Sequence, residues 1–90
     1  MTIPKNISRD HLLKAIGDID NRNVAIPDNR QSTKYSIIFN EKYYPPKFVI
    51  CQANKYANGD FYNSELFNGG YESNEFLRKR DFTIVNTPTK

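Results

Sequence analysis

The sequence predicts a small α+β domain in which a short antiparallel sheet packs with three helices. Three observations point there. Tyr35-Ser36-Ile37-Ile38-Phe39 alternates with period two and is built of aromatic and β-branched residues, the signature of a strand. Two other stretches, one following Ser8 and one following Pro45-Pro46, repeat their apolar residues at helical spacing. The ninety residues hold one cysteine, so the core must close by packing alone, at a length near the lower end for doing so.

In chain order, Ser8 is a good N-cap, and Ile7 before it can pack on Leu12 as a hydrophobic staple. Leu12, Ile16 and Ile19, with Leu13 and Ala15, then predict an amphipathic helix over about residues 9–20, with Lys14, Asp18 and Asp20 on its polar side. His11 falls in the first turn, where an exposed or half-buried histidine is the simple reading. Residues 21–34 are polar, aperiodic and carry a Pro-Asp-Asn turn signal, as a surface loop does. In the strand that follows, Tyr35, Ile37 and Phe39 share one side and Ser36 and Ile38 the other. Asn40-Glu41 then turns the chain into a second strand at Tyr43-Tyr44; Asn tolerates a left-handed backbone, and Glu is a poorer choice there than Gly.

Pro45-Pro46 ends that strand, because proline cannot donate to the ladder, and its fixed φ suits the first position of a helix. Val49, Ile50, Ala53, Tyr56 and Ala57 give that helix an apolar stripe, and Asn58-Gly59 stops it. Asn63 or Ser64 can cap a single turn through Leu66-Phe67, and Gly69-Gly70 breaks the chain. A third helix is expected from Glu72 or Ser73, anchored by Phe76 and Leu77. Arg78, Lys79 and Arg80 at its end suit the helix dipole, a structural role that competes with any binding role. Phe82 to Val85 makes a last strand able to pair with the hairpin. Residues 1–86 thus form one domain, resembling a winged helix in outline, and residues 87–90 a linker or cut end.

Charge is unevenly placed along the chain. The net +3 arises from a balanced stretch 1–29, a +4 stretch 30–55, a −4 stretch 56–77 and a +3 stretch 78–90. Such segregation predicts a basic face suited to a polyanion, although basic clusters are also common on solvated surfaces. Apolar runs fall short of the roughly 18–20 residues of a membrane span, and residues 1–20 lack a signal-peptide pattern, so a cytoplasmic protein is expected.

Catalysis is not expected. The chain has one histidine and no nucleophile elbow, and Gly69-Gly70 lacks the Gly-Lys-Ser/Thr ending of a phosphate-binding loop. One His with one Cys cannot build a zinc site, so no metal or cofactor is expected. Cys51 among Val49, Ile50 and Ala53 reads as a small buried hydrophobe. The informative pattern is aromatic plus basic: Tyr43, Tyr44 and Lys47 surround the proline corner, and Arg30 and Lys34 lie in the preceding loop. Lysine and arginine neutralise phosphates, and tyrosine stacks on bases or donates to phosphate oxygens. If in one strand, Tyr43 and Tyr44 point to opposite faces, so one of them belongs to the core.

Several motifs also resemble a known family. They are Tyr35-x-apolar-apolar, Tyr44-Pro45-Pro46-Lys47-Phe48-Val49-Ile50, Ala53-Asn54, Phe67-x-Gly69-Gly70, Ser73-Asn74-x-Phe76-Leu77 and Phe82-x-Ile84-Val85. Together they resemble the N-terminal head domain of ScoMcrA-like, modification-dependent (type IV) HNH restriction endonucleases and related bacterial defence proteins, over about residues 8–86. Two positions depart from the pattern: Asp81 where Gly would end the third helix, and Asn40-Glu41 in place of an Asn-Gly-like turn. The resemblance implies an accessory domain of a DNA-targeting enzyme whose nuclease lies outside these residues. Its partners would be double-stranded DNA and other domains of the same nuclease, in a bacterial cytoplasm. The expected contacts are Arg30, Lys34, Tyr43, Tyr44, Lys47, Asn74, Arg78, Lys79 and Arg80. The alternatives are a protein-interaction or homodimerisation module, favoured by an exposed aromatic patch of Tyr43, Tyr44, Phe61 and Tyr62, and a free-standing regulator of a host defence enzyme.

Overall fold

The computed structural model describes residues 3–21, 35–62 and 71–86. The element order is α1 (Arg9–Asp20), β1 (Tyr35–Phe39), β2 (Lys42–Tyr44), α2 (Pro46–Asn58), α3 (Tyr71–Arg78) and β3 (Thr83–Asn86). This is the α+β arrangement expected. Of the loop expected over residues 21–34 only Asn21, the C-cap of α1, is described; the rest of it, the single turn near Leu66-Phe67 and the Gly69-Gly70 break fall outside the described residues.

Helix α1 starts where Ser8 places it. The Ser8 Oγ accepts from the His11 backbone N–H, and the Ser8 backbone N–H donates to His11 Nδ1 at 3.0 Å. His11 therefore fills the place that Glu or Gln takes in a capping box. Ile7 and Leu12 are both fully buried, as a staple requires.

The sheet has the order β2-β1-β3, all antiparallel. Asn40 and Glu41 both have positive φ, 51° and 66°, which is the conformation of the tight hairpin turn. Register then sorts the faces. Ile37 pairs with Tyr44 and with Ile84 on the core side, while Ile38 pairs with Tyr43 and with Thr83 on the other. Ser36 shares the Ile38 side yet is buried, so that face is not open along its whole length.

Helix α2 is the hub, packed against α1, α3 and β1. Pro46 opens it, and Gly59 closes it with φ 95°, its N–H donating to the Lys55 carbonyl at 3.0 Å. The expected single apolar stripe is too narrow. Phe48 through Asn54 are all buried, because partners cover this helix on several sides. Two of those residues are polar and are accommodated by hydrogen bonds: Gln52 to Asp18 at 3.0 Å and Asn54 to the Asp60 carbonyl at 2.7 Å. Tyr56, assigned to the stripe, is instead 43% exposed. Its hydroxyl donates to Asp18 at 2.5 Å and Lys14 sits over its ring, so it lies on the rim of the α1–α2 contact. Cys51 is buried, as expected.

Helix α3 starts at Tyr71, one residue before the range expected, and ends in a Schellman motif. Phe82 N–H donates to the Leu77 carbonyl at 3.1 Å and Asp81 N–H to the Arg78 carbonyl at 3.0 Å. Asp81 occupies the left-handed position, φ 67°, where Gly would be free of strain. Leu77 and Phe82, buried together, supply the apolar contact that accompanies this motif.

Candidate nucleic-acid interface

The basic run Arg78-Lys79-Arg80 sits where α3 meets the N-terminal segment, and the three cations have different tasks. Arg80 is a structural residue: Nε donates to the Ile7 carbonyl at 2.6 Å, Nη2 to Lys5 at 3.1 Å and Nη1 to Phe76 at 3.1 Å. Its guanidinium carbon lies 3.6 Å from the centroid of the Phe76 ring. Burial lowers its pKa, yet an arginine keeps its charge. Arg78 is paired with Glu75 at 2.8 Å. Lys79 is exposed and makes no side-chain hydrogen bond or ion pair among the described residues.

Two cations join this group that local sequence could not supply. Arg9 Nη1 donates to the carbonyls of Arg80 and Asp81, both at 2.9 Å, and its guanidinium lies over Phe82 at 4.7 Å. Arg9 and Arg80 thus bind each other's segments reciprocally and fasten the chain start to the end of α3. Lys5 is exposed and, like Lys79, lacks a side-chain partner among the described residues. Seventy residues separate Lys5 and Arg9 from the run they join, so no spacing rule could have found them. Between the two segments runs a groove of about 620 Å³, lined by Ile3, Lys5, Phe76, Lys79 and Arg80, with Glu72 and Glu75 along the α3 side. The surroundings are therefore mixed in charge rather than uniformly basic.

The proline corner divides its tyrosines as strand alternation requires. Tyr43 is 51% exposed, on the sheet face away from the core. Tyr44 is 3% exposed and its hydroxyl donates to Asp20 at 2.6 Å, which ties the hairpin to the end of α1. Desolvation first, then the hydrogen bond to Asp20 and its negative charge, push the Tyr44 phenol pKa well above its usual value. As a surface contact Tyr44 is therefore misplaced: it is a core residue. Lys42 beside it lies 3.6 Å from the same Asp20. Lys47 is half-buried in the first turn of α2.

Asn74 is also a core residue, 4% exposed, and its Oδ1 has no hydrogen-bond partner among the described residues. Arg30 and Lys34 lie outside the described residues. Of the nine expected contacts, Tyr43, Arg78 and Lys79 are exposed, and the fold brings Lys79 and Arg80 to one groove with Lys5. The four-residue aromatic patch is not assembled as a whole: Tyr43 and Phe61 are exposed, Tyr62 is partly buried and Tyr44 is buried.

Among the described residues no group of His, Cys, Asp or Glu could hold a metal ion, and no helix is long and apolar enough to cross a membrane. A family model, that of the ScoMcrA-like N-terminal head domain, matches residues 5–86. No curated protein matches the chain, and no solved structure does. The match covers nearly the whole chain, and the protein belongs to the family of ScoMcrA-like N-terminal head domains.

Proposed function

We propose that this head domain is a non-catalytic DNA-binding module of a bacterial modification-dependent restriction system, contacting DNA chiefly through phosphates. The observation that carries the reading is the pair Lys5 and Lys79: two exposed ammonium groups that have no side-chain partner among the described residues, brought from opposite ends of the chain to one groove. Free cations on one side of a rigid scaffold are what phosphate neutralisation needs. Tyr43 on the outer sheet face adds an exposed aromatic ring with a hydroxyl donor. Membership of a head-domain family is compatible with an accessory role, the nuclease chemistry residing in other domains.

The reading makes a quantitative demand. Neutralising two or three phosphates gives a binding constant that falls roughly 10- to 40-fold between about 50 and 200 mM salt, far less than the 10³ or more for six to ten contacts. Fluorescence anisotropy on a short duplex across a salt series measures this. Saturable binding with that slope, reduced by about one in Lys79→Ala, supports the reading. No binding at the lowest salt would sink it, and self-association and interdomain contacts would then be the readings to pursue. With Tyr44 buried and Tyr62 partly buried, the interaction-module reading keeps only Tyr43 and Phe61 of its proposed aromatic patch.

A further inference from the structure

Arg80 has all three of its guanidinium nitrogens engaged with backbone carbonyls, and Phe76 covers one of its faces. To reach a phosphate edge-on it would have to release bonds that hold Ile7, Lys5 and Phe76 in place. Arg80 and Phe76 both line the groove, the one a flat cation held in orientation by its hydrogen bonds and the other the aromatic ring it packs on. Guanidinium planes and aromatic rings are the surfaces on which unstacked bases rest. The remaining lining fits the same occupant. Lys5 and Lys79 can each take a phosphate, while Glu72 and Glu75 would repel a phosphate placed between them. Carboxylates do accept N–H groups, the exocyclic amine of cytosine among them, and Glu75, which meets Arg78 through Oε2, has Oε1 as a second acceptor. The volume, about 620 Å³, lies in the range of small-ligand sites.

Resting on the DNA-binding reading, we propose that this groove takes a single unpaired base bearing an exocyclic amine, stacked on the Arg80–Phe76 pair, with its flanking phosphates on Lys5 and Lys79. A base inside an intact duplex keeps both faces stacked and cannot enter. The occupant is therefore a single strand or a nucleotide extruded from a helix, and the two share one chemistry.

The test is a ¹⁵N-¹H correlation spectrum of the 90-residue chain at low salt, titrated with four probes: short oligodeoxycytidine, short oligodeoxythymidine, a fully paired duplex, and that duplex with one bulged cytidine. The expected result is a shift of the Lys5, Phe76 and Lys79 amides and of the Arg80 side-chain N–H, with oligodeoxycytidine and with the bulged duplex. The double variant Lys5→Ala/Lys79→Ala, altered only at exposed side chains, removes both phosphate contacts and should weaken oligodeoxycytidine about tenfold, with a salt slope shallower by about 1.4. Response to the bulged duplex without response to oligodeoxycytidine would assign the groove to extruded bases. Oligodeoxythymidine binding as tightly as oligodeoxycytidine would overturn the amine contact, and a groove response to the paired duplex equal to that of the bulged one would overturn the unpaired base. If duplexes bind while the groove residues stay unshifted by every probe, this proposal falls and the phosphate reading stands. If no probe binds, both fall.

Discussion

Replacing Arg80 with lysine separates the two roles that the basic run could serve. Charge is retained, so a purely electrostatic residue would tolerate the change. The structure predicts otherwise. Arginine makes three hydrogen bonds to backbone carbonyls of Ile7, Lys5 and Phe76, and a lysine ammonium can keep one of them at most in the same place. Arg80 is only partly buried, so the two lost bonds are set at about 1 kcal/mol each, the net contribution of an ordinary hydrogen bond. Loss of the guanidinium from the Phe76 ring adds about 0.5–1 kcal/mol. The total, about 2–3 kcal/mol, is a large part of the roughly 5–13 kcal/mol expected for a domain of this size. Urea unfolding should show it directly, and Tm should fall by about 10–20 °C, taking about 4–8 °C per kcal/mol for a domain this small. Lys79→Ala is the control, with an expected change within about 0.5 kcal/mol. If Arg80→Lys unfolds within that same margin of the parent chain, the three carbonyl contacts contribute nothing and the assignment of Arg80 as a structural clamp is refuted.

Two further substitutions test the backbone and the core. Asp81→Gly removes an L-residue from the left-handed position of the Schellman motif, φ 67°, and should raise stability by up to about 1 kcal/mol, read as a higher urea midpoint at unchanged m-value. Unchanged or lowered stability would mean that the Asp81 backbone is relaxed there. Tyr44→Phe should cost about 1 kcal/mol near neutral pH by deleting the hydrogen bond to Asp20. It should also flatten the alkaline limb of the stability curve. The folded-state phenol pKa is raised above its unfolded value near 10, so the folded chain holds this proton more tightly and its contribution is complete below about pH 10. That contribution is lost as pH rises further, so the parent chain should lose stability between about pH 10 and 11 more steeply than Tyr44→Phe. Parallel curves over that interval would count against a buried, bonded phenol.

What was legible in the sequence was what local chemistry decides. Ser8 announced the start of α1, Pro45-Pro46 the passage from strand to helix, and Gly59 the end of α2, because each acts on the backbone within a turn of itself. Alternation in β1 and β2 required one of Tyr43 and Tyr44 to face inward, and it was Tyr44. Illegible were the properties that depend on what packs across. Gln52 and Asn54 look like surface residues until Asp18 and the Asp60 carbonyl arrive to satisfy them. Tyr56 continues an apolar stripe on paper, yet at the rim of α1 its hydroxyl meets Asp18 and Lys14 lies over its ring. His11 gave no sign that it would complete the cap of α1, since the usual signal at that position is Glu or Gln. For the site the same division holds. The Arg78-Lys79-Arg80 run was visible, and its meeting with Lys5 and Arg9 was not.

Segregation of charge along a chain is a poor guide to segregation in space, and the end of α3 shows why. Three successive helix-terminal residues point in different directions. Arg78 therefore meets Glu75 on its own helix, Lys79 meets solvent, and Arg80 turns back on the N-terminal segment. The same helix also brings Glu72 and Glu75 from the acidic stretch into the groove that Lys79 lines. Few cations are then left for phosphates at this groove, and on the proposed reading the isolated chain binds duplex DNA no better than the roughly 10⁻⁴–10⁻⁶ M of non-specific association. Such a module acts through attachment. Held beside a second DNA-binding domain at an effective concentration of about 1 mM, it is engaged most of the time once its partner has bound, and it releases when the partner does. Weak binding by the isolated chain is thus the outcome that reading requires. Strong salt-resistant binding by these ninety residues alone would contradict it.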